Sequence, residues 1–133
     1  MGKIKVTFEA RASGPVADGT AHDAVLDWID ETKKQTADYA LRQLQAVRMD
    51  KTGRATGHYQ EMIRTTFLSY NDVLLSDPVV YGPWLEGVSE RNRSTRFKGY
   101  KLWRLAKQAT AQQAPKIAED LFPRYAERIG GAP

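Results

Sequence analysis

Between Ala21 and Met49 the chain contains neither glycine nor proline, and no other stretch limits the possible folds as strongly. Val25, Ile29, Thr36, Ala40, Leu44 and Val47 recur there at near-helical spacing, and Leu26, Ala37 and Leu41 widen the stripe. The spacing predicts one long amphipathic helix from residue 21 to about residue 49, long enough to cover a sheet. Thr20 stands at the N-cap position, with Asp23 three residues on as a weaker form of the capping box. The opposite face carries Asp27, Asp30, Glu31, Lys33, Lys34, Asp38 and Arg42. Asp27, Asp30 and Glu31 have the charge to attract a cation. With no rigid loop and no converging ligands, they read as a solvated helix face.

The partner for such a helix is written on either side of it. Residues 3–10 alternate Ile4, Val6 and Phe8 with Lys3, Lys5, Thr7 and Glu9, the period of a half-buried strand. Residues 11–19 hold Ser13-Gly14-Pro15 and Asp18-Gly19 and predict a turn or loop. Residues 50–57 predict a second polar, glycine-bearing loop; Arg48 before it and Lys51 and Arg54 within it have the charge to touch DNA, although an exposed tip needs no such reason. From 58 to 78, Tyr59, Ile63, Thr65 and Phe67 alternate with Gln60, Arg64 and Thr66. After Ser69-Tyr70-Asn71-Asp72 the chain resumes with Val73, Leu74 and Leu75. Two strands and a tight turn is the economical reading, with the N-terminal strand joining them.

Further on, residues 100–114 predict a helix. Pro115 either kinks it or opens the first turn of a second one. Ile117, Leu121, Tyr125 and Ile129 continue an apolar line, which crosses a costly Pro123 and ends at Gly130-Gly131. The predicted class is therefore α+β: a small antiparallel or mixed β-sheet packed by one long N-terminal helix and a C-terminal helix. It is a single domain, 1–133, with an extended loop around residues 87–98.

Composition narrows the function classes. With 133 residues, 41% hydrophobic and 27% charged, the chain has material for one modest core. Its charge is polarised: residues 1–90 hold ten Lys and Arg against thirteen Asp and Glu, a net of −3, and residues 91–133 hold ten against three, a net of +7. Such polarity suits a polyanion, an acidic neighbour, or copies packing acidic part to basic part; a solvated basic face is the plain alternative. There is no cysteine, hence no disulfide framework and no thiolate metal site. No apolar run has membrane-spanning length and the N-terminus has no signal-peptide core, so the expectation is a protein that stays in the cytoplasm where it is made, without membrane contact. His22 and His58 have no ligand partner at metal spacing, and neither a phosphate loop nor a nucleophile elbow is present. No catalytic, metal or cofactor-binding residue is assigned; the expectation is a non-enzyme without cofactors.

Residues 79–104 carry the strongest functional signal. Trp84 and Trp103 lie among Gly82, Pro83, Gly87 and Gly99, punctuation that a regular core does not tolerate. Arg91, Arg93, Arg96, Lys98, Lys101 and Arg104 follow, and large aromatics beside glycines and cations suggest a surface that meets something. Residues 79–87 themselves are open between a short strand and a helical turn. Glu86 is the carboxylate of interest, read as an ion pair with an arginine of this or a neighbouring subunit, because no second acid or base accompanies it.

Tyr81-Gly-Pro-Trp-Leu-Glu86-Gly87, a polar loop, and Arg96-Phe97 leading into a helix together resemble the tail-completion, or head-tail joining, neck proteins of long-tailed bacteriophages. That family carries a tyrosine, an aromatic or aliphatic residue, then Glu and Gly, and later a Phe that opens the C-terminal helix. The resemblance implies a structural virion protein, assembled in the host cytoplasm. It would be one subunit of a homo-oligomeric ring, typically sixfold, between head connector and tail tube, with the genome passing through the lumen. It implies interface roles for Tyr81, Trp84, Glu86, Phe97 and Trp103, and a channel or interface role for the basic run. Partners would be further copies, the adjacent neck and tail proteins, and transiting DNA held without sequence preference. The alternative is a small nucleic-acid-binding module that uses residues 91–107 as phosphate clamps, with Tyr100 and Trp103 as stacking surfaces.

Overall fold

The computed structural model describes residues 3–9, 19–46, 58–77, 86–94 and 99–130. Their order is β1 (Lys3–Thr7), α1 (Gly19–Ala46), α2 (His58–Glu61), β2 (Arg64–Ser69), β3 (Asp72–Ser76), α3 (Glu90–Ser94), α4 (Leu102–Leu121), a 3-10 turn (Phe122–Arg124) and α5 (Ala126–Ile129). The fold is α+β. Its three-stranded sheet has the order β1-β3-β2, and both pairings are antiparallel.

The hairpin forms where expected, around Tyr70-Asn71, with β1 laid on its central strand. Ile4 faces Leu75, Val6 faces Val73, and Phe67 also faces Val73. Asn71 extends that ladder: its carbonyl accepts from Phe8 N–H, and its Nδ2 donates to Phe8 O. Residues 58–63 are a correction. They form a helical turn instead of the start of a strand: Tyr59 and Ile63, four apart, share a face in either element, and in the helical one both are buried and Tyr59 Oη reaches Asp77. β2 is also more exposed than its alternation predicted, with Phe67 and Leu68 each half accessible.

α1 starts at Gly19, one residue before the expected N-cap position, so the backbone of Thr20 lies within its first turn. Ala37, Ala40 and Leu44 of its stripe join Ile4, Tyr59, Val73, Leu75, Leu102, Trp103 and Ala106 in one core. Alanines at the helix crossing let the α1 and α4 backbones approach. Lys33 was placed on the solvent face and is instead buried. Its Nζ donates to Asp30 Oδ1 at 2.7 Å and Ser69 O at 3.2 Å, and sits 5.1 Å from the centre of the Phe67 ring. The aliphatic stem packs at the hairpin while the ammonium keeps polar partners.

α4 begins at Leu102, two residues later than expected, and continues through Pro115 as one helix to Leu121. The apolar line then changes pitch. Pro123 falls in the first residues of the 3-10 turn, where a missing N–H costs little, and Gly130, with φ 87°, terminates α5. The segment expected as a basic loop contains α3. Ser89 and Asn92 form one half of a capping box: Asn92 Oδ1 accepts from Ser89 N–H at 3.0 Å and from Ser89 Oγ at 2.8 Å, while Asn92 N–H donates to the Ser89 backbone carbonyl.

Candidate interaction surface

The residues before α4 are organised by a backbone crossing. Gly87 has φ 99° and Gly99 has φ 89°, and a Cβ on Gly99 would lie 2.3 Å from Gly87 Cα and N. Only glycine permits both the conformation and the contact. After the first glycine of the crossing, Val88 is 74% exposed and Arg93 is exposed.

From that crossing Glu86 reaches the start of α4. Lys101, at the N-cap position, is left-handed at φ 55° and supplies no side-chain cap. Glu86 supplies it from another segment: Oε1 accepts from Trp103 N–H at 2.9 Å and Oε2 from Arg104 N–H at 3.0 Å. These are donors that a helix otherwise leaves unsatisfied, and the carboxylate sits at the positive end of the helix. The ion-pair reading of Glu86 is thus replaced by a capping role.

Trp103 is a core residue, 4% exposed, which corrects its assignment to an interface or a stacking surface. Its indole N–H donates to Tyr59 Oη at 2.7 Å, and Tyr59 Oη donates to Asp77 Oδ2 at 2.6 Å. Burial pushes the Tyr59 phenol far above its ordinary value, and the bond to Asp77 adds to the rise. Residues 77 and 86, which bracket 78–85, are therefore both fastened around one tryptophan. An indole moves no proton at ordinary pH, and the three side chains are closed to solvent, so this chain of bonds locks the core and is no acid–base site.

Of the other sequence candidates, Tyr81, Trp84, Arg96, Phe97 and Lys98 lie outside the described residues, as do Arg48, Lys51 and Arg54. The backbone of Arg91 lies in α3. Lys101 at the N-cap and Arg104 and Lys107 on the first turns of α4 are exposed beside half-exposed Leu105, with no carboxylate partner for their side chains among the described residues. Basic groups around exposed apolar ones make this the candidate interaction surface.

The acidic helix face is already occupied from within the chain. Glu31 accepts from Arg124 and from Tyr125 Oη at 2.8 Å, Asp27 pairs with Arg128 at 2.9 Å, and Asp30 pairs with Lys33 and Lys34. Trp28, overlooked in the sequence, donates its indole N–H to Ala118 O at 2.9 Å and meets Phe122 edge-on at 5.1 Å. A tryptophan three residues from both Val25 and Glu31 was the available signal, since it widens the apolar stripe toward the acids. Among the described residues no cluster of His, Cys, Asp and Glu is placed to hold a metal, and no helix is long and apolar enough to cross a membrane. No protein-family model, curated protein or solved structure matches the chain.

Proposed function

We propose that the chain is a structural subunit of the phage neck, one copy in a ring that joins the head connector to the tail tube while DNA passes through the lumen. The supporting observation is the pinned segment that begins at Glu86. Glu86 and Gly87, which carry part of the family resemblance, are fastened to the start of α4, where Lys101, Arg104 and Lys107 are exposed. A preorganised charged surface suits assembly and passage of a polyanion better than chemistry. The partners in this reading are further copies, the flanking neck and tail proteins, and DNA. Tyr81, Trp84 and Phe97 remain its proposed contact residues.

The test is assembly. Particles made with the gene deleted should accumulate as filled heads and separate tails, and added purified protein should restore joining. Normal particles from the deletion would overturn the reading. A Gly99→Ala chain should restore joining poorly, because its Cβ would collide with the Gly87 backbone.

A further inference from the structure

Beyond Leu121 the chain lies along α1 as a strap, yet neither the 3-10 turn Phe122–Arg124 nor α5 contains a buried residue. Phe122, Tyr125, Ala126 and Ile129 are only half-buried, and its ion pairs are in contact with water. The Arg128–Asp27 pair is 47% and 57% exposed, and Arg124 on Glu31 is 66% exposed. Tyr125 Oη adds one hydrogen bond and Phe122 one edge contact. Exposed pairs of this kind shift an equilibrium by a factor of about five at most each. Beside the strap an open depression of about 370 Å³ is lined by Asp27, Asp30, Glu31, Lys34, Tyr125 and Arg128.

A second set of cations lies at the start of α4. Arg124 and Arg128, four apart, sit on Glu31 and Asp27, four apart; Lys101, Arg104 and Lys107, three apart, face outward from α4. We propose that residues 122–129 are a releasable cover over an acidic docking face of α1, and that the uncovered face receives the basic first turns of α4 from a second copy of this chain. The inference rests on the ring reading for its partner and goes beyond it by naming the two faces that meet. The strap is an internal stand-in for the neighbour's cations: it keeps isolated chains apart, and a neighbour that adds Leu105 and Val88 to the charge contact displaces it.

The experiment is sedimentation of the full chain at low salt, where exposed charges are least screened. Arg124→Ala with Arg128→Ala should strengthen self-association about tenfold. Adding Lys101→Glu, Arg104→Glu and Lys107→Glu should abolish the gain. No gain, or a gain that survives those three changes, overturns the proposal. Should the alanine chain lose helix, the unaltered protein decides by hydrogen exchange. Ile129 and Gly130 amides should exchange faster as salt rises while the Ala106 to Thr110 amides do not, and salt-independent protection overturns the proposal. These readouts need no virus particle. Association through the named faces in a chain dispensable for joining would sink the neck reading alone.

Discussion

Glu86 does for α4 what a serine or aspartate at the helix start usually does, but from the far side of a glycine crossing. Glu86→Ala should therefore lower stability by about 1–3 kcal/mol in urea unfolding, from two lost charge-assisted bonds. Glu86→Gln, which keeps an acceptor, should lose less; equal losses would show that the carboxylate only fills space. Asp30 adds a pH dependence. Hydrogen bonds from Lys33, then Lys34, hold its carboxyl below the ordinary value of 3.8. The folded chain thus binds that proton less tightly than the unfolded one, so the contribution is complete above the unfolded value and lost as pH falls through the lower folded one. Asp72, held down by Thr7, behaves likewise. Unfolding midpoints measured down from neutral pH should fall below about pH 4, and less steeply in Asp30→Asn. Parallel curves would remove Asp30 from the account.

At the scale of elements, α4 is the instructive case because it keeps a proline in its fourteenth position. Pro115 gives up one backbone bond and crowds the preceding turn, and the helix persists because Leu102, Trp103, Ala106, Thr110 and Leu121 bury its inner face. Pro115 is exposed. Pro115→Ala should raise stability by about 1–3 kcal/mol by denaturant titration, with the fold unchanged. A loss would mean that Pro115 contributes to the native packing of the helix rather than merely being tolerated by it. The 3-10 turn has the opposite logic, since Pro123 near its start fits the local geometry and helps turn the chain toward Glu31.

For the whole molecule the decisive feature is where charge is left over. The C-terminal arginines neutralise the acidic face of α1, so the positive surface on α4 has no carboxylate partner among the described residues. The isolated protein should bind duplex DNA weakly, without sequence preference, and lose it near physiological salt, because phosphate contacts release counterions. Titration at several salt concentrations with two unrelated duplexes checks this. Tight, sequence-selective binding at physiological salt would favour the nucleic-acid module over the ring subunit.

The strand, the hairpin, the long helix and the terminating Gly130 were legible because each depends on local period and turn chemistry, which the residues Ile4-Val6, Tyr70-Asn71, Ala37-Leu44 and Gly130 carry themselves. So was the break in regular structure at Gly87 and Gly99, although not that the two glycines meet each other. Tyr59 and Ile63 fit two periods over a short stretch, and only the buried bond to Asp77 favours the helical one. Trp103 beside cations gave no sign of burial, because exposure depends on which distant segment covers a side chain. Lys33 beneath the hairpin, Glu86 on the α4 amides and Arg124 on Glu31 likewise join residues 36, 17 or 18, and 93 positions apart. Local period determined which elements form; only tertiary packing, which brings such separated groups within hydrogen-bond reach, decided which charges are closed within the fold and which face outward.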